Sequence, residues 1–145
     1  MKKQGFIIYG LVLLLVIGLP GCVVPSVTPA AAVETGFTLP LGELSSELTS
    51  PEVQVLYMTE AIFILDVREP DEFAAGHIPG ATLIPLDSLP NRLNDIPRDQ
   101  PVVIVCRSGN RSGQAQRYLQ EQGFTNVRNM LGGMLDWSNA GYDIE

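Results

Sequence analysis

The chain has 145 residues, room for one modest domain, and a formal net charge of −7. Lys2 and Lys3 stand at the very start, so the rest carries seven of the nine basic residues, all arginine, against sixteen acids. An acidic chain without a basic run is a poor partner for nucleic acid or anionic lipid. Any anionic substrate must then be met by positive charge gathered locally, and Arg107 and Arg111 are such a pair.

Met1 to Gly5 is short and positive, and Phe6 to Leu19 is almost unbroken hydrophobe. A spanning helix needs roughly 20 apolar residues, so residues 1–21 are expected to be a secretory signal. The ending Leu19-Pro20-Gly21-Cys22 resembles a bacterial lipoprotein signal. That resemblance implies that Cys22 becomes the first mature residue and carries lipid, giving an exported, cell-envelope protein touching membrane only through its anchor. Stable anchoring takes more than one acyl chain. A lipidated Cys22 cannot pair with Cys106, which leaves Cys106 as the free thiol of the pair. Residues 22–50 hold Pro25, Pro29 and Pro40 among Ala, Ser, Thr and Val. They read as a tether, with the folded domain over 51–145.

Residues 43–60 give the weakest pattern and fit an edge strand, a helix, or both. Ala61-Ile62-Phe63-Ile64-Leu65 is a short apolar run ending at Asp66 and predicts a buried strand. Pro70 to Gly76 opens on Pro and acids and closes on Gly, which predicts a short helix. Thr82-Leu83-Ile84 reads as a strand, and Leu86 to Ile96 as a helix interrupted by Pro90. Val102-Val103-Ile104-Val105 is a second strong buried strand. Ser112 to Gln122 predicts the best helix, with Ala115, Tyr118 and Leu119 on one stripe and Gly123 as its stop. Asn126-Val127-Arg128 reads as a short strand, and Gly132-Gly133 opens a last helix through Trp137. Alternating apolar strands and helices predict an α/β fold, a mainly parallel sheet with helices on both faces. Ligands of such sheets bind beyond the carboxyl ends of the strands, where Asp66 and Cys106 fall.

Strand 102–105 runs directly into Cys106-Arg107-Ser108-Gly109-Asn110-Arg111-Ser112, with a helix behind. A tight strand-to-helix loop turns successive amides toward one point. Gly109 permits backbone conformations that other residues resist, and Ser112 is a good helix cap. The helix N-terminus and two guanidiniums add positive charge. A thiol at the mouth of that cradle ionises more readily than a free cysteine. The same cradle suits a small oxyanion or the outer sulfur of a persulfide. A strand-end cysteine alone would read as inert core; the glycine and both arginines are what point to chemistry.

The run Cys106 to Ser112 resembles the active-site loop of single-domain rhodaneses. Asp66-Val67-Arg68-Glu69 with Glu72-Phe73, then Gly76-His77-Ile78-Pro79-Gly80-Ala81, is similar to the amino-terminal signature of that family, and Leu131-Gly132-Gly133-Met134 through Trp137 to its last one. The resemblance spans about residues 60–140. It implies a five-stranded parallel sheet and sulfur transfer through a persulfide on Cys106, from a small anionic donor such as thiosulfate to cyanide or a thiol. Arg107, Ser108, Gly109, Asn110, Arg111 and Ser112 would bind the donor and steady the persulfide. No cofactor and no metal are implied.

His77 reads as part of a structural turn rather than a base, since a thiolate of lowered pKa needs none. Asp66 and Arg68 read as a bracing ion pair, and Phe63, Phe73 and Trp137 as core. A cysteine phosphatase would place arginine at position 112, which is Ser112. A thiol–disulfide oxidoreductase lacks a second nearby cysteine. A non-catalytic sulfur-binding or interaction module is the other reading.

Overall fold

The computed structural model describes residues 44–59 and 62–145. The leader, Cys22 and the tether up to residue 43 lie outside the described residues. Five strands, β1 (Glu47–Leu48), β2 (Phe63–Asp66), β3 (Thr82–Leu83), β4 (Val102–Val105) and β5 (Val127–Met130), form one sheet in the order β1-β5-β4-β2-β3. Every neighbouring pair is parallel. Four helices, α1 (Ser50–Met58), α2 (Pro70–Ala74), α3 (Asn110–Glu121) and α4 (Gly133–Asn139), complete the expected α/β architecture.

Strand β4 is central because it is apolar on both faces, and all four of its residues are buried. Val102 and Ile104 join Leu65, Val67, Ala115 and Leu119 on one side. Val103 and Val105 join Val53, Leu56, Met134 and Trp137 on the other. A four-residue run of this kind can only be a strand covered twice. Burying each such side chain contributes about 1.5–3 kcal/mol.

The β2–β4 register sets where the chemistry-bearing residues emerge. Phe63 pairs with Val102, and so on to Asp66 with Val105. The chain continues the pairing one step further, with Val67 N donating to Val105 O at 2.9 Å. The ends of the two strong strands therefore lie side by side, and Asp66 and Cys106 emerge from the same edge of the sheet.

Three expectations change. The tether cannot reach residue 50, because β1 already belongs to the sheet: Asn129 N donates to Ser46 O and Leu131 N to Leu48 O. Residues 86–96 are not α-helical but two 3-10 turns, Leu86–Asn91 and Leu93–Asp95. Pro90 has no N–H to give and its ring obstructs the preceding turn; Ser88, Arg92, Asp95 and Ile96 instead donate to carbonyls three residues back. The last strand runs on to Met130, beyond the expected 126–128.

Candidate active site

The Cys106–Ser112 loop leaves β4 and enters α3 within four residues. Its turn depends on Gly109, which caps α3 at φ 93°. A Cβ there would stand 3.3 Å from both Gly132 N and Met130 O, so a side chain at this position is strained by conformation and crowded by neighbouring backbone. Ser112 is not the cap the sequence suggested; it sits in the first turn of α3, fully buried.

Its hydroxyl instead donates to Cys106 Sγ at 3.3 Å, and Gly109 N donates to the same sulfur at 3.1 Å. Burial pushes the thiol up, but the Ser112 hydroxyl and the amides of Ser112, Ser108 and Gly109 all pull it down, and the balance lies below the ordinary thiol value. The Ser112 hydroxyl and the amides of Ser108, Gly109 and Ser112 thus converge on the sulfur, and neither arginine of the loop donates to it. The expected position differs: Cys106 is 1% exposed, at the floor of the cradle rather than its mouth. Arg107, Ser108 and Asn110 are the exposed rim.

Helix α4 explains why the amides point inward. Met134 N donates to Cys106 O at 2.9 Å and Leu135 N to Arg107 O at 3.1 Å. In a trans peptide the carbonyl and the next amide point in opposite directions. Holding the Arg107 carbonyl toward α4 turns the Ser108 amide, one of those that lower the thiol, toward the sulfur side. Such close approach requires Gly133, at φ 57°, where a Cβ would lie 2.3 Å from Cys106 O.

Two ion pairs brace this arrangement. Arg68 Nη2 lies 2.7 Å from Asp66 Oδ2, and both residues are buried. Arg68 also donates to the carbonyls of Glu72 and Gly76 at 3.1 and 2.9 Å. The expected Asp66–Arg68 brace is therefore present, and it fixes the β2–α2 connection. Arg111 makes a two-pronged pair with Glu72 of α2, at 2.7 and 2.6 Å. Arg111 holds the Glu72 carboxyl well down, to about 2. Glu72 also accepts from Glu69 N at 3.1 Å, which ties it to the start of its own helix. Sequence pattern alone assigned Glu72 no role; the Glu69-x-x-Glu72 spacing, with Pro70 between, is the capping signature that marked it.

Arg107 is exposed and has no carboxylate partner among the described residues. Of the two clustered arginines, one is engaged and one is open. His77 stacks on Phe73 with centroids 3.6 Å apart, and its Nδ1 lies 3.0 Å from Phe73 O. That is the structural turn expected of it. Phe63 is half-buried and packs against the core around Leu65 and Val102, Phe73 is half-buried, and Trp137 is wholly buried.

The rhodanese-like domain family matches residues 42–140. The chain belongs to that family. A sulfurtransferase of Allochromatium vinosum is 43% identical over 104 residues, covering 72% of this chain and 94% of that protein. The thiosulfate sulfurtransferase GlpE of Pseudomonas entomophila is 39% identical over 91 residues, covering 63% and 84%. The crystal structure of a rhodanese-like domain protein from Staphylococcus aureus superposes with a TM-score of 0.62 at 35% identity, covering 68% of this chain and 97% of that one. The five-stranded sheet and its flanking helices are the rhodanese-like fold.

Proposed function

We propose that this rhodanese-like protein is a sulfurtransferase that carries a sulfane sulfur as a persulfide on Cys106. The observation that carries the reading is the convergence of the Ser112 hydroxyl and the loop amides on Cys106 Sγ. Such a set of donors keeps a sulfur anionic without a neighbouring base. The Cys106 thiolate attacks the outer sulfur of thiosulfate. The bond between the two thiosulfate sulfurs breaks, and sulfite leaves with the electron pair. The persulfide anion then occupies the cradle. An acceptor, cyanide or a thiolate, attacks the outer sulfur, and Cys106 returns as thiolate. No electrons are gained or lost over the cycle. Arg107, open at the rim, draws the dianionic donor in. Arg111 holds the loop to α2 through Glu72.

The test is thiosulfate-to-cyanide transfer by the protein and by Cys106→Ala, with mass spectrometry of the thiosulfate-treated protein. Transfer lost in the variant, and one added sulfur on the peptide containing Cys106, are expected. No transfer and no added sulfur in the parent protein would leave a binding module instead. We also propose export and lipid attachment at Cys22 on the sequence pattern; membrane fractionation of Cys22→Ser against the parent chain tests it.

A further inference from the structure

We propose that the hollow between α3 and the β1–β5 side of the sheet binds a small zwitterion that carries an amide, a free amino acid or a dipeptide. The hollow measures about 520 Å³ and its lining includes Glu47, Asn110, Gly113, Gln114, Arg117 and Asn129. Spaces of that order hold small organic molecules. The apolar stripe of α3, Ala115 and Leu119, packs into the core with Val127 of β5. Beside it, residues 110, 113, 114 and 117 stand three and four apart and share a second face. That face is Asn, Gly, Gln and Arg. Asn129 lies two residues beyond Val127, so it points to the same side of β5. A helix and a strand thus meet over polar groups.

Asn129 is the observation that points to a ligand. It is 4% exposed, and neither end of its carboxamide has a hydrogen-bond partner among the described residues. Buried amides are almost always bonded. Gly113 makes room beside it. A Cβ at Gly113 would meet Asn129 Nδ2 at 3.5 Å and Arg117 Nη1 at 3.8 Å. Two donor nitrogens therefore flank the point that a side chain at 113 would fill. A carboxylate carbon at that point puts one oxygen within hydrogen-bond reach of each nitrogen.

The charges select the rest of the ligand. Arg117 has no carboxylate partner and Glu47 no cationic partner among the described residues. Glu47 pairs in register with Asn129 across β1 and β5, so both side chains share the α3 side of the sheet. The hollow thus holds one cation and one anion beside three carboxamides. A bare dianion is drawn by Arg117 but repelled by Glu47. A zwitterion answers both, with its carboxylate between Arg117 and Asn129 and its ammonium at Glu47. An amide in the ligand meets Asn110 and Gln114, whose carboxamides donate and accept. Ser108 and Gly109 line the hollow and Cys106 does not, so the site lies behind the loop rather than at the sulfur. Two sources offer this chemistry: a free amino acid with a side-chain amide, and a dipeptide.

The full-length protein is titrated with L-glutamine and with Gly-Gly by calorimetry, and its amide shifts are followed by NMR. The controls are N-acetyl-Gly-Gly, which lacks the ammonium, Gly-Gly amide, which lacks the carboxylate, and sulfate, a bare dianion. Saturable millimolar binding of one zwitterion is expected, about tenfold tighter than any control, with shifts centred on Asn110, Gly113 and Asn129. Whichever zwitterion binds tighter identifies the source. Gly113→Ala fills the point between the two nitrogens at ordinary contact distance, and alanine suits a helix better than glycine. It should melt no lower than the parent protein and bind at least tenfold more weakly. Arg117→Gln, at an exposed position, should weaken both zwitterions and N-acetyl-Gly-Gly while leaving Gly-Gly amide unchanged. Cys106→Ala should bind as the parent does, which separates this site from the sulfur. No saturable binding of either zwitterion, a control that binds as tightly, or either hollow variant binding like the parent overturns the proposal.

Discussion

Replacing Ser112 by alanine isolates one donor to the sulfur. The hydroxyl is 3.3 Å from Cys106 Sγ in a fully buried position. A hydrogen bond to a charged group contributes about 1.5–3 kcal/mol. The lower end applies, because the amides of Ser108, Gly109 and Ser112 remain and can close on the thiolate. At about 1.4 kcal/mol per factor of ten, the thiolate-to-thiol ratio falls about tenfold at a given pH. The bond favours the thiolate, so its loss moves the ionisation midpoint to higher pH. A more basic thiolate is also the better nucleophile, with a Brønsted slope of about 0.4–0.5. Below the midpoint, alkylation should therefore slow by a net factor of about three; well above it, the variant should be faster by about the same factor. Iodoacetamide alkylation across a pH series, read on the peptide containing Cys106, separates the two regimes. Ser112→Thr, which keeps the hydroxyl, should track the parent protein. A variant whose profile overlays the parent at every pH would refute the idea that this hydroxyl stabilises the thiolate.

Gly133→Ala forces a Cβ to 2.3 Å from Cys106 O at φ 57°. It should cost about 2–4 kcal/mol in urea denaturation. Arg68→Ala strands Asp66 in a buried site and should cost about 3–5 kcal/mol in the same measurement. Glu72 has its carboxyl lowered from 4.5 to about 2, so the stability of its pair with Arg111 is present above about 4.5 and lost as pH falls from there toward 2. Glu72→Gln should trail the parent protein by about 1 kcal/mol near neutrality, a figure discounted for two part-exposed side chains, and the gap should close across that acid window. Arg107→Ala should raise KM for thiosulfate several-fold, most strongly at low salt. Arg111→Ala should instead lower thermal stability and kcat together.

The strongest elements were legible because one force dominates them. Val102 to Val105 is buried on both faces and reads as a strand whatever surrounds it, and the loop behind it has a spacing that serves one geometry. Asp66 and Arg68 could be paired from sequence because a buried acid at a strand end needs a nearby cation. The region 44–59 was opaque for the opposite reason. Strand β1 is two residues long, and α1 buries only Ser50, Val53 and Leu56 while leaving Val55 and Met58 exposed. Val53, Leu56 and Tyr57 do share one face, but the exposed Val55 and Met58 blur that stripe in the sequence. The one readable signal was at its start, where Glu52 accepts from both the amide and the hydroxyl of Thr49. The depth of Cys106 was also hidden, since periodicity places a residue at a strand end but not under the loop behind it.

A sulfur at 1% exposure is at first sight a poor nucleophile, and burial alone would raise its pKa. The two facts are reconciled by the origin of the donors. Amides fixed by the sheet edge, by Gly109 and by the carbonyl anchors to α4 need no rearrangement when the thiolate forms, whereas water would. Excluding water also lengthens the lifetime of a persulfide against loss of its outer sulfur to solvent. A small anion must then reach down into the cradle rather than meet the sulfur at the surface. On the proposed sulfur-transfer reading, the selection of substrates falls to the exposed rim, where Arg107 stands, and the floor is the same for any donor. Exchanging rim residues should therefore change which acceptor is served, while exchanging floor residues should change the rate for every acceptor alike.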